Sequence, residues 1–162
     1  MGLSDKMNKA LNEQIANELN AAHKYLAMVY SFNAMGLKVF GKRFAKQAEE
    51  EREHALKIAA YVQDADGTIS LGPIDKPRGD YKTAKAIVEA ALASEETVTS
   101  QIHALVALAE KENDYATRSF LKWFVDEQVE EVASMRELLQ WVKMAGETNL
   151  FQLENRIAQS MS

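Results

Sequence analysis

Glu18, Glu51, His54, Glu95 and Glu131 stand at positions where an amphipathic helix carries its apolar residues, so five ionisable side chains are aimed at a protein interior. Burying one ionised carboxylate costs several kcal/mol even after relaxation. Four together would exceed the roughly 5–15 kcal/mol by which a domain is stable. Positive charge must accompany them, yet no Lys or Arg falls on the same stripes. Two divalent cations would balance the four carboxylates. Oxygen ligands with one imidazole suit Fe(II), Mn(II) or Zn(II). The chain has no cysteine, which disfavours Cu(I) and structural zinc and excludes disulfides, iron–sulfur clusters and thiol nucleophiles. Glu51 and His54, three residues apart, leave one helix face together, and Glu51 is the candidate to bridge two metals.

Four long segments with helical spacing must position these groups, and nothing reads as an alternating strand. The first, about Ser4 to Ala34, has Leu11, Ile15, Glu18, Ala22, Tyr25 and Val29 on its stripe, with Gly36 as a stop. The second, about Lys38 to Asp64, carries Phe40, Phe44, Ala48, Glu51, His54, Ile58 and Val62. The third, about Thr83 to Lys111, places Glu95 between Ala91 and Val98. The fourth, about Tyr115 to Met144, places Gln128 and Glu131 between Phe124 and Met135. Asn113 and Asp114 can cap its start, and Gly146 ends it. Both prolines and three glycines lie between about Asp64 and Tyr81, the one long loop.

Helices of this length run roughly 40–45 Å and pack as an up-and-down bundle. Short turns near Gly36 and Asn113 make two antiparallel hairpins, and the long loop crosses the bundle between the second and third helices. All four mid-length carboxylates then come level. The expected fold is all-α, a single domain over residues 1–162. Its bundle spans about 4–145, and a short fifth helix spans about 148–160, with a capping pattern in Asn149 and Gln152 and an apolar face of Leu150, Leu153 and Ile157. Too short to be stable alone, that helix must dock on its own bundle or on neighbouring subunits.

A formal net charge of -5, without a basic run, argues against nucleic acid or an anionic membrane as partner. No stretch reaches the roughly 20 apolar residues of a membrane span. Residues 1–6 contain no apolar signal core, and Lys6 stands where a myristoylation motif needs Ser or Thr. A cytoplasmic protein is expected, or an organellar one whose targeting peptide has been removed.

Ferritin-like di-iron bundles supply one Glu from each of two helices and Glu-x-x-His from each of the other two. Glu51-Arg52-Glu53-His54 fits that pattern, while Gln128-Val129-Glu130-Glu131 departs from it and points to a second metal held more loosely. Over nearly its whole length the chain resembles the bacterial-type non-haem ferritins. The resemblance rests on Asn12 to Ile15, Glu18 to Ala22, Tyr25-Leu26, Gln47 to Ala55, Ala91-Leu92, Glu95, Val98-Thr99, Ile102-His103, Trp123 to Val125, Glu127-Gln128 and Glu130-Glu131.

The resemblance implies a ferroxidase centre that oxidises Fe(II) to Fe(III) with dioxygen or hydrogen peroxide. Glu18, Glu51 and His54 would hold the first iron; Glu51, Glu95 and Glu131 would hold the second, with Gln128 beside it. A third, inner-facing site would map to Glu50, Glu127, Glu130 and Glu131, and the equivalent of Tyr25 is a partner of the centre and an electron donor. It further implies a hollow homo-oligomeric shell of 24 subunits storing iron mineral, with the short last helix at the four-fold axes. Haem-bearing relatives have Met directly after the bridging Glu; Arg52 here implies no haem.

Blander roles stand beside these. Tyr25 can be a core tyrosine with a bonded hydroxyl, Trp123 either core or redox-active, and Glu49, Glu50, Glu53, Glu127 and Glu130 a solvated acidic face. His23, His103 and the methionines have no ligand spacing. Two rival functions remain at this stage: a di-iron oxidase or peroxidase without a storage role, and a metal-free helical scaffold.

Overall fold

A computed structural model describes residues 2–162 and contains five helices: α1 (Asp5–Ala34), α2 (Lys38–Asp64), α3 (Ala84–Lys111), α4 (Tyr115–Ala145) and α5 (Leu150–Ser160). The expected bundle with one long crossover is the architecture found, and helix ends lie within two residues of those the sequence marks. Their chemistry is local. Ser4 Oγ accepts from Met7 N at 3.0 Å, Thr83 Oγ1 from Ala86 N at 3.1 Å and Asp114 Oδ1 from Thr117 N at 3.0 Å, satisfying otherwise unpaired first-turn donors. Gly36, at φ +77°, reverses the chain after α1.

α1 packs along α2 and α3 along α4, and α1 against α3 joins the two hairpins. The crossover, residues 65–83, is held down by asparagines from one face of α1. Asn8 Oδ1 accepts from Thr68 N at 2.9 Å, Asn12 Oδ1 from Ser70 N at 2.6 Å and Asn20 Oδ1 from Asp75 N at 2.7 Å. Spacings of four and eight put the three amides in one row, so an irregular segment gains fixed partners for its backbone.

The core has two apolar ends. One gathers Phe32, Phe40, Phe44, Ile87 and Leu138; the other gathers Leu11, Ile58, Val62, Ile102 and Leu121. Between them lies a buried polar layer of Glu18, Glu51, His54, Glu95, Gln128 and Glu131.

α5 docks on its own bundle, against α2 and α4, with Leu150 and Ile157 buried. The capping pattern expected at its start does not form. Asn149 is not extended there, and its amide turns back to donate to Ala145 O at 2.9 Å. A different polar residue fastens the helix. α2 has Leu37 at its N-cap, which offers no side-chain cap, and buried Glu154 fills that role, accepting from Val39 N at 2.5 Å and Phe40 N at 3.1 Å. A carboxylate at a helix N-terminus satisfies unpaired amides and complements the helix dipole.

Candidate metal centre

The four carboxylates and His54 meet in the middle layer, one element contributing each acid: Glu18 from α1, Glu51 from α2, Glu95 from α3 and Glu131 from α4. Glu18 and Glu51 are fully inaccessible to solvent, and Glu95 is 1% exposed. Helical spacing explains the convergence. Each acid replaces an apolar residue on its helix's inward stripe, so the packing that builds the core carries it inside.

Among the described residues, ligand atoms of Glu18, Glu51 and His54 lie within 4.8 Å of one another. His54 Nδ1 is 3.3 Å from Glu51 Oε2 and 3.9 Å from Glu18 Oε2. None of these three buried atoms has a hydrogen-bond partner. Buried polar atoms are rarely left so, and three facing one point form a donor set that an oxygen- and nitrogen-seeking cation fits. No lysine or arginine among the described residues pairs with any of the four acids, whose only ion-pair contacts are those of His54.

The other carboxyl oxygens are engaged. Gln14 Nε2 donates to Glu18 Oε1 at 2.9 Å, and Gln47 Nε2 donates to Glu51 Oε1 at 3.2 Å and Glu131 Oε2 at 2.8 Å. The Tyr25 hydroxyl donates to Glu95 Oε1 at 2.5 Å, and Gln128 Nε2 donates to Glu95 Oε2 at 3.2 Å and Thr99 Oγ1 at 3.1 Å.

Without a cation the cluster holds protons. Burial, reinforced by the charge of Glu51, pushes the Glu95 carboxyl up to about 9 and that of Glu131 up to about 7. The same two causes raise Glu18 well above the carboxylate range. For Glu51, burial is outweighed by the nearby His54 and the neighbouring carboxyls, and its pKa is lowered. For His54, burial is outweighed by the proximity and charge of Glu51, and the imidazole is raised. Burial and the charge of Glu95 hold the Tyr25 phenol far above its usual value.

Glu50, Glu127 and Glu130 do not belong to this buried layer. With Glu131 they line a groove of about 310 Å³ between α2 and α4 that also takes in Arg43 and Gln47. Glu127 nevertheless reaches inward, with a ligand atom within 4.8 Å of His54 and Glu131. Trp123 is not a core residue: it is 39% exposed, meets the His54 ring edge-on at 5.4 Å and carries Lys57 Nζ 3.4 Å above its own ring. Gln14, Gln47 and Glu154 receive no site role from the sequence alone. For the two glutamines a signal existed, since each stands one helical turn before a stripe glutamate.

A family model described as a ferritin-like domain matches residues 8–145. The ferritin BfrB of Mycobacterium tuberculosis is 36% identical over 160 residues, 99% of this chain and 88% of that relative. The bacterial non-heme ferritin of Staphylococcus haemolyticus is 34% identical over 158 residues, 96% of this chain and 95% of the relative. Among solved structures, an open pore ferritin from the archaeon Archaeoglobus fulgidus superposes with a TM-score of 0.94 at 36% identity, covering 96% of this chain and 98% of the other.

Proposed function

The chain belongs to the ferritin family, and from that footing we propose that it stores iron by oxidising Fe(II) at the buried carboxylate layer and passing Fe(III) into the interior of a homo-oligomeric shell of 24 subunits. One observation carries the reading. Glu18 Oε2, Glu51 Oε2 and His54 Nδ1 are buried, mutually close and without partners.

In this reading iron is the substrate. Glu18, Glu51 and His54 receive one Fe(II), and Glu51, Glu95 and Glu131 a second, with Gln128 holding Glu95 in place. Each Fe(II) gives up one electron; the pair reduces dioxygen with two protons to hydrogen peroxide, or hydrogen peroxide with two protons to water. The protein contributes position and charge, because each electron lost adds positive charge that the carboxylates stabilise. His54 binds only as neutral imidazole, so loading weakens as pH falls and the raised imidazole gains its proton. Glu131 belongs both to the buried layer and to the groove with Glu50, Glu127 and Glu130. That shared side chain gives oxidised iron a third stopping place on its way inward. No helix among the described residues is long and apolar enough to cross a membrane.

Anaerobic addition of Fe(II) followed by air tests storage. Consumption should continue far beyond two irons per chain, in a particle of 24 chains of 18.1 kDa each. Saturation at two, in a small oligomer, would instead identify a di-iron oxidase or peroxidase.

A further inference from the structure

We propose that Gln14 and Gln47 are positioning residues of the iron centre, each pinning one oxygen of a carboxylate so that its other oxygen faces the metal; this rests on the reading of the buried layer given above. The two glutamines are related by the same offset. Gln14 lies four residues before Glu18 on α1, and Gln47 four before Glu51 on α2. At that spacing the side chain reaches over the next turn of its own helix, and in both cases the amide Nε2 donates to the glutamate's Oε1.

The oxygens left over, Glu18 Oε2 and Glu51 Oε2, are the unpartnered atoms that face His54 Nδ1. A carboxylate held by one oxygen cannot rotate freely, and its choice of metal-facing atom is settled before metal arrives. Gln14 is itself held. It is buried, and its carbonyl accepts from Asn17 Nδ2 at 3.1 Å. Reversing the amide would set its carbonyl against the Glu18 carboxylate, so the sense of the donor is fixed. Gln47 spends both amide hydrogens on acids, one on Glu51 and one on Glu131, and thereby ties α2 to α4 where the buried layer opens into the groove.

The residue type matters as much as the spacing. Lys or Arg at either position would orient the carboxylate equally well but cancel its charge, leaving less to attract a cation. An amide orients without neutralising. The second hairpin lacks the device, since Ala91 and Glu127 stand four residues before Glu95 and Glu131. There Gln128 and Tyr25 reach Glu95 from other helices.

The test is site-resolved zinc occupancy in the full-length assembled protein. Metal-free crystals of wild type, Q14M and Q47M are soaked across a range of Zn(II) concentrations, and occupancy is read from anomalous scattering. Methionine keeps the length of glutamine and removes the donor. Q14M should lose affinity by about 10- to 100-fold at the Glu18–His54 position while the Glu95–Glu131 position fills as before. Q47M should lose affinity at both positions, at Glu18–His54 because Glu51 Oε2 faces His54 and at Glu95–Glu131 because Gln47 also holds Glu131. Equal losses at both positions in Q14M, or none in either variant, would overturn the assignment, because a purely structural role does not redistribute metal. Should Q14M fail to fold, N17A frees the Gln14 carbonyl from outside the buried layer and should give a smaller loss confined to the Glu18–His54 position; no change there overturns the role of Gln14. Wild type binding no zinc at either position would sink the reading of the centre itself, an outcome separate from both.

Discussion

The Tyr25 hydroxyl donates to Glu95 Oε1 at 2.5 Å, tying α1 to α3 inside the acidic layer. Both groups are buried, and this phenol is a principal influence holding the Glu95 pKa down against burial and the charge of Glu51. Y25F should therefore destabilise the metal-free protein by about 1–3 kcal/mol, the usual consequence of leaving a buried acceptor short of a donor. It should also slow iron oxidation by about tenfold. Thermal melts and stopped-flow oxidation rates check the two effects separately.

Loading the centre should release protons. Glu95, held up at about 9, and Glu131, at about 7, are wholly or partly protonated at pH 7 in the metal-free protein, and both must ionise to bind metal. More than one proton per centre is expected at pH 7, fewer at pH 9. Calorimetric titration of Zn(II) in buffers of different ionisation enthalpy measures the number.

Stability without metal should fall as pH rises. A carboxyl whose folded pKa lies above its unfolded value keeps its proton longer in the native state. Its contribution is therefore full below the unfolded pKa and lost as pH climbs through the folded one. For Glu131 that window runs from the ordinary carboxylate range to about 7, and for Glu95 to about 9. The raised His54 works in the same sense, while the lowered Glu51 matters only at more acid pH. Melting temperatures in chelator should drop between pH 5 and pH 9, and E131Q should flatten the part of that drop below pH 7.

Glu51 touches both halves of the layer and raises the pKa of Glu18, Glu95 and Glu131. E51Q removes, at constant shape, the buried charge of the one acid whose pKa is lowered and which pushes up its three neighbours. The metal-free variant should melt higher than wild type by a few degrees and oxidise Fe(II) at least 100-fold more slowly. A lower melting point with unimpaired oxidation would mean that the charge serves only the fold.

Glu154 caps α2 from a helix that is itself too short to stand alone. E154A should cost about 1–2 kcal/mol through the lost cap and speed amide exchange along α5 more than elsewhere. Hydrogen exchange read by mass spectrometry locates the effect.

Sequence reasoning reached the helices, the crossover and all six members of the buried layer because those features rest on local periodicity, and a charge or an amide on an apolar stripe is visible as an exception to it. The Gln14 and Gln47 bonds were less visible. Glutamine one turn before glutamate is unremarkable on an exposed face, and only burial of the pair makes the bond consequential. The Asn149 cap failed because that residue had a competing acceptor in Ala145 O, a choice decided by backbone geometry rather than residue type. Glu154 could not be found by pattern at all: its partners lie more than a hundred residues earlier in the chain. Trp123 is by residue type equally suited to the core, and its half-exposed place beside His54 and Lys57 of α2 is set by tertiary packing that the sequence does not display.

Anomalous scattering from crystals grown without metal and soaked anaerobically in Fe(II) addresses the central claim most directly. The account predicts two iron peaks per chain sharing Glu51, one bounded by Glu18 and His54 and the other by Glu95 and Glu131. An iron-free interior, or iron confined to the groove beside Glu50 and Glu130, would contradict it.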